Sequence, residues 1–208
     1  MFDILKAKES FMNYVRQFDL TNDKIHLKLV HTLEVVRTTE YLCLYENITG
    51  VERDLAYLIA LLHDIGRFEQ IKRFNSFDDR NIDHAKLGVQ VLFKEGMIRN
   101  FIDDDQYDEI IEKAIAYHSL YKIPNNLEPS LLKQVLLIRD SDKLDNFRVK
   151  NIESIQTLFS ISDADFYSQR VSQNILKDIE NHTLILKENR HNEVDMWVSY
   201  MAFVFDLN

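Results

Sequence analysis

The stretch LIALLHDIGRFEQ, residues 58–70, decides how we interpret this sequence. An unbroken apolar run, Ala56 to Leu62, leads directly into His63 and Asp64, with Gly66 two positions further on. The run predicts a helix that is buried on every side and that Gly66 ends. A buried carboxylate without a partner is costly or loses its charge. Asp64 therefore needs a compensating group, and a metal ion is one candidate.

The composition favours one mostly helical domain. With 208 residues and 46% apolar content, the chain can bury one substantial core but is short for two domains. It contains only four glycines and two prolines, and apolar residues recur at spacings of three and four almost throughout. We predict an all-α protein with helices near residues 2–18, 23–46, 52–66, 84–100, 105–120, 129–147, 149–160, 165–187 and 191–206.

Charge and hydropathy exclude several classes of partner. Nothing in the sequence approaches the roughly 18 to 20 apolar residues of a membrane span, and Cys43 is the single cysteine. We expect a soluble cytoplasmic protein that binds no membrane. The net charge of −9 argues against a nucleic-acid surface. A small phosphorylated ligand needs only local positive charge, and the locally basic segment 66–80, predicted to be mostly irregular, begins with Gly66 and Arg67.

Ionisable residues interrupt the apolar faces of five consecutive predicted helices. A single histidine on such a face is usually a core residue that is hydrogen-bonded to a carbonyl. A helical bundle, however, can bring several such residues to one point. The set contains four histidines and two aspartates: His31, His63, Asp64, His84, His118 and Asp142.

The chemistry of this set favours transition metals. Imidazole and carboxylate ligands suit iron or manganese, with zinc, cobalt and nickel as alternatives, better than calcium or magnesium. No cysteine is among the candidates, which argues against a structural thiolate zinc site. Six protein ligands leave too few open positions on one catalytic ion. Shared between two ions about 3.5–4 Å apart, they leave room for water and substrate. We therefore expect one or two divalent ions.

The motifs around these residues resemble the HD superfamily of metal-dependent phosphohydrolases. They are KLVHTLEVV, ALLHDIGR, DHAKLGVQVL, AIAYHS and IRDSDKLDN, and they carry the six candidates in order. The resemblance implies a helical bundle of the HD-domain type with a metal-binding core at approximately 22–147. Residues 148–208 would add C-terminal helices to a single domain spanning 1–208.

The same resemblance implies roles for individual residues. Asp64 would be the metal-bridging and catalytic carboxylate, with His63 as a ligand beside it. Lys143 and Arg67 would contact substrate phosphate. Two branches of the superfamily fit poorly, because the chain has neither the Gly-Tyr-Pro motif of cyclic di-GMP phosphodiesterases nor the Thr-Gly that follows the histidine in dinucleoside tetraphosphatases.

Three functional hypotheses result. The leading one is hydrolysis of a small, nucleotide-like phosphoester by a metal-activated hydroxide at a binuclear site. A di-iron oxygenase would use the same ligands. A non-catalytic nucleotide-binding module is the third hypothesis, and the intact ligand set argues against it. The amphipathic pattern of residues 150–208 favours packing over a homo-oligomer interface.

Overall fold

The computed structural model describes residues 3–74 and 82–208. Within these ranges every regular element is helical, which confirms the all-α prediction. No helix in this part of the chain is long and apolar enough to span a bilayer. The α-helices are α1 (Ile4–Val15), α2 (Asp23–Tyr45), α3 (Gly50–Leu62), α4 (Ile65–Phe74), α5 (His84–Val89), α6 (Asp108–Tyr117), α7 (Pro129–Ile152), α8 (Ile155–Phe159), α9 (Asp163–Ser168), α10 (Gln173–Glu180) and α11 (Glu193–Met201).

The chain folds into two compact units, Met1–Ser141 and Asp142–Asn208. The division falls inside α7, which is one continuous helix. The sequence predicts instead a single domain with a core at 22–147, and that assignment stays a prediction.

The core of the first unit is built around α3. Every residue of α3 from Leu55 to Leu62 is buried, so the apolar run lies inside the core as predicted. Phe11 of α1 and Val35 of α2 belong to the same apolar cluster. Asn22 sets the start of α2, because its side-chain oxygen accepts hydrogen bonds from the first free backbone N–H groups of that helix. Because α1 and α2 contribute to the same apolar cluster as α3, the end of α3 that leads into His63 lies inside this core.

The junction between α3 and α4 differs from the prediction. The helix expected over 52–66 ends at Leu62, and α4 begins at Ile65. His63 and Asp64 form the turn between the two helices. Gly66 therefore does not end a helix, but lies buried in the first turn of α4. The irregular segment expected over 67–82 is helical as far as Phe74, and residues 75–81 lie outside the described ranges.

Gly66 lets two backbones meet where α4 crosses α5. A Cβ atom at Gly66 would overlap the carbonyl oxygen of His84 and would lie 2.7 Å from the backbone nitrogen of Gly88. A Cβ at Gly88 would lie 3.4 Å from the nitrogen of Gly66. The crossing therefore requires the absence of a side chain at Gly66, whereas a Cβ at Gly88 would make only an ordinary van der Waals contact. The crossing holds His84 directly beside the turn that carries Asp64.

Two further predicted helices are interrupted. The helix expected over 84–100 changes at Gln90–Lys94 into a π-helical turn, and Gly96, with φ +78°, precedes a 3₁₀ turn at Met97–Asn100. In the second unit the helix expected over 165–187 is divided into α9 and α10. The second unit has a small core formed by Ile175, Ile185 and Ala202.

Candidate metal centre

Five of the six predicted ligands come together in the first unit. Asp64 lies among four imidazoles that come from the middle of α2, the α3–α4 turn, the first residue of α5 and the residue after α6. Each of the five side chains belongs to a residue that is at most 4% exposed: His31, His63, Asp64, His84 and His118. The imidazole rings also contact one another, and the ring centroids of His63 and His118 are 5.3 Å apart.

The two carboxylate oxygens of Asp64 face different histidines. Oδ1 lies 3.4 Å from Nε2 of His84, and His118 offers a further ligand atom in the same group. Oδ2 lies 3.7 Å from Nε2 of His31 and 3.8 Å from Nε2 of His63. The two oxygens of one carboxylate thus face different imidazoles, Oδ1 that of His84 and Oδ2 those of His31 and His63.

Backbone carbonyls fix the proton on two of the rings. Nδ1 of His63 lies 2.8 Å from the carbonyl oxygen of Ala60, and Nδ1 of His118 lies 2.6 Å from that of Ile115. A carbonyl can only accept, so Nδ1 is the donor in both rings. The neutral ring then carries a lone pair on Nε2, the tautomer that metal-binding histidines adopt.

The spacing of the ligand atoms fits a metal ion. Nε2 of His84 and Nε2 of His118 are 3.1 Å apart. Two nitrogens that each lie about 2.1 Å from one ion, at roughly a right angle, would be about 3.0 Å apart. Together with the oxygen of Asp64, these atoms lie within 4.8 Å of one another. The donors are those that divalent transition metals prefer, so the residues present fit such an ion.

Two cations contact Asp64 as well. Nζ of Lys28 lies 2.7 Å from Oδ2, and Nε of Arg67 lies 3.8 Å from Oδ1. Burial by itself would raise the pKa of Asp64, but Lys28, the imidazoles of His63 and His84, and Arg67 outweigh it and hold the pKa well below its usual range. Asp64 is therefore ionised and ready to bind a cation.

Lys28 was not among the predicted site residues. The sequence contains a signal for Lys28, because this residue lies three positions before His31 and therefore on the same face of the helix. Arg67 was predicted, and the structure places it at the cluster, where its Nη1 also donates to Oε1 of Gln70 at 2.9 Å. Whether Arg67 contacts substrate stays a prediction.

The remaining predicted site residues, Asp142 and Lys143, belong to the second unit. Asp142 is partly buried on α7, and Asn146, one turn later, donates from Nδ2 to its Oδ1 at 2.9 Å. Lys143 is 5% exposed and pairs through Nζ with Oδ2 of Asp206 at 2.7 Å. Sequence reasoning also missed Asn146, although it stands four residues after Asp142. The metal and substrate roles of Asp142 and Lys143 stay predictions.

An all-α fold with a buried carboxylate among imidazoles is typical of a metal-binding protein. The family model of the HD domain matches residues 29–146, more than half of the chain, and the chain belongs to the HD domain family. All six predicted ligands lie inside the matched range. The family consists mostly of metal-dependent phosphohydrolases, and HD domains bind divalent metal ions. Searches of curated proteins and of solved structures return no match.

Proposed function

We propose that this chain hydrolyses a phosphoester in a small, nucleotide-like molecule, using two divalent transition-metal ions. The observation that carries the proposal is the position of Asp64, whose Oδ1 faces His84 while its Oδ2 faces His31 and His63. A carboxylate in this position can bridge two ions. Membership of the HD domain family supports phosphoester hydrolysis as the reaction.

The histidines supply the ligands around that bridge. His84 and His118 would hold one ion together with Oδ1 of Asp64. His31 and His63 would hold the other together with Oδ2, and Asp142 completes this second set on the basis of its motif. Iron and manganese suit these nitrogen and oxygen donors.

Each group of the chain then has a defined task. Bound divalent ions supply Lewis acidity and an activated water. The hydrogen bonds from Nδ1 of His63 and His118 to backbone carbonyls hold the two rings with Nε2 turned inward. Arg67, beside Oδ1 of Asp64, would pair with a non-bridging phosphoryl oxygen. Lys143 would do the same once its pairing with Asp206 is exchanged for the substrate.

The local charge supports an anionic substrate. The chain as a whole carries a net charge of −9, which repels phosphates at long range. At the cluster, however, Lys28 and Arg67 place two positive charges beside one carboxylate. With two divalent ions added, the site becomes strongly positive and will favour a phosphate group over a neutral ligand.

The test combines metal content with turnover. Protein prepared without chelator and with air excluded should contain about two iron or manganese ions per chain by elemental analysis. It should hydrolyse members of a panel of nucleotide phosphoesters, and should lose that activity when chelated. The variant His118→Gln should retain fewer ions than wild type. His26→Gln, at an exposed position of α2, is the matched control and should retain both.

Two results would contradict the proposal. Turnover that persists after all metal is removed would contradict a metal-dependent reaction. A metal-loaded chain that consumes dioxygen but hydrolyses no phosphoester would contradict hydrolysis in favour of an oxygenase.

A further inference from the structure

Lys28 contacts the same oxygen of Asp64 that faces His31 and His63. Its Nζ lies 2.7 Å from Oδ2 of Asp64, closer than Nε2 of His31 or His63. The side chain of Lys28 is 17% exposed and that of Asp64 3% exposed, so the pair is largely shielded from water. An ion pair in such surroundings is stronger than one at the surface.

A metal ion and this ammonium group cannot both keep their best contact with Oδ2. A metal–oxygen bond of about 2 Å would place two positive charges within a few ångströms of Nζ. Like charges at that distance repel strongly in a partly desolvated site. Metal binding therefore has to displace Lys28 from Oδ2 or to bear that repulsion.

We propose that Lys28 is the counter-ion of Asp64 in the metal-free chain and competes with the metal for the same oxygen. A buried carboxylate left without a partner destabilises a fold, and Lys28 prevents this before metal arrives. Its flexible stem and residual exposure allow the ammonium group to withdraw towards water. Lys28 is thus a positioning residue that sets the metal affinity. The inference depends on the proposed function only in taking Asp64 as a ligand.

The competition predicts that loss of a charged site residue strengthens metal binding. Metal-stripped wild type, Lys28→Gln and Arg37→Gln are titrated with Mn²⁺ by calorimetry. Lys28→Gln should bind about tenfold more tightly, because a charge-assisted pair is lost from the metal-free state and a repulsion from the bound state. Arg37 lies on the same helix with 80% of its side chain exposed. Its variant removes the same charge and should stay within about twofold of wild type.

A charge-conserving variant excludes a merely structural role. Lys28→Arg should bind Mn²⁺ within about threefold of wild type, because the positive charge remains. Mn²⁺ affinity that is unchanged or weaker in Lys28→Gln would overturn the inference, as would Lys28→Arg binding as tightly as Lys28→Gln.

If Lys28→Gln folds only with Mn²⁺ bound, the release of Mn²⁺ is measured instead of its uptake. The Mn²⁺-loaded variant is mixed with excess chelator, and slower release than from wild type supports the inference, whereas equal or faster release overturns it. Failure of the proposed function would look different. Wild type that binds Mn²⁺ but hydrolyses no phosphoester would contradict that function, while the comparison of Mn²⁺ affinities would still decide the role of Lys28.

Discussion

The two compact units each bury an aspartate, and the two carboxylates have opposite surroundings. Asp64 in the first unit is 2% exposed and Asp195 in the second is 0% exposed. Oδ1 of Asp195 accepts from the backbone nitrogen of Ser172 at 2.8 Å, and Oδ2 accepts from its hydroxyl at 2.7 Å and from the nitrogen of His191 at 3.0 Å. Asp64 instead faces imidazoles and the cations Lys28 and Arg67.

Both carboxylates remain ionised, but for different reasons. In each case burial acts to raise the pKa and is outweighed. For Asp195 the opposing groups are led by the backbone N–H of Ser172, which cannot move without unfolding the local chain. For Asp64 they are led by the charge of Lys28, on a side chain that can leave. A buried carboxylate held by backbone donors is structural, whereas one held by side-chain bases and cations can exchange them for a ligand.

The largest expected effect is that of Asp64→Asn. An amide oxygen carries no charge and an amide nitrogen cannot bind metal, so metal content should fall to background and metal-dependent turnover should vanish. The same substitution at Asp195 is the matched control, and it should leave metal content unchanged. Elemental analysis of both purified variants decides the point. Two ions retained in Asp64→Asn would refute the bridging role.

The second-largest effect is expected at the contact between α4 and α5, where Gly66 lets two backbones meet. Gly66→Ala would push the backbone at His84 away, and overpacking of this kind should lower the free energy of unfolding by about 3 kcal/mol. Mn²⁺ affinity should fall as well, because His84 moves from Asp64. Gly88→Ala meets its nearest atom at 3.4 Å, an ordinary contact, and the higher helix propensity of alanine should leave the free energy of unfolding unchanged or raise it by up to about 1 kcal/mol. Urea denaturation of both variants tests this ranking, and equal losses would contradict it.

The smallest effect is at Asp195. Asp195→Asn turns an amide N–H₂ towards groups that are themselves donors, so unfolding free energy should fall by about 2 kcal/mol. The pKa of Asp195 is lowered in the folded chain. Its stabilisation should therefore be complete above the unfolded pKa of about 3.9 and disappear as pH falls through the lower folded value. The variant should lack this contribution.

Thermal unfolding at several pH values measures the difference in stability between wild type and Asp195→Asn. Asp163→Asn, at an exposed position in the first turn of α9, controls for the loss of one charge. It should change stability by less than about 0.5 kcal/mol. A difference in stability between wild type and Asp195→Asn that stays constant down to the acid transition would contradict the proposed pH-dependent stabilisation by the Asp195 carboxylate.

Much of the first unit could be predicted from the sequence, because its signals are local. The apolar run before His63 specifies a buried helix, and imidazoles on apolar faces stand out against their neighbours. Lys28 gives a weaker signal, because it lies three residues before His31 but a lysine at a helix surface is ordinary until its contact with Asp64 is known. The turn at His63 and Asp64 was missed for a related reason. In the sequence alone Gly66 suggests a helix end, and its role in the contact between α4 and α5 becomes visible only in the structure.

The second unit shows a different limit. Its apolar periodicity indicated helical structure, but several helix ends differ: α7 continues to Ile152, α10 ends at Glu180, and a break separates α9 from α10. That break coincides with the extended backbone of Gln169 and with the hydrogen bonds that Ser172 makes to Asp195. These two residues are 23 positions apart, so a window of local sequence cannot reveal the contact that stabilises the break.

The contact of Gly66 with α5 also bears on the size of the site. Because main-chain atoms meet there directly, the distance between the backbones that carry Asp64 and His84 is set by the radii of backbone atoms and not by the length of a side chain packed between them. Substitutions elsewhere on α4 and α5 can alter stability without changing that gap. We therefore expect the preference of the site for ions of one radius over another to be insensitive to the surrounding sequence, since the backbone contact fixes the distance between the two segments.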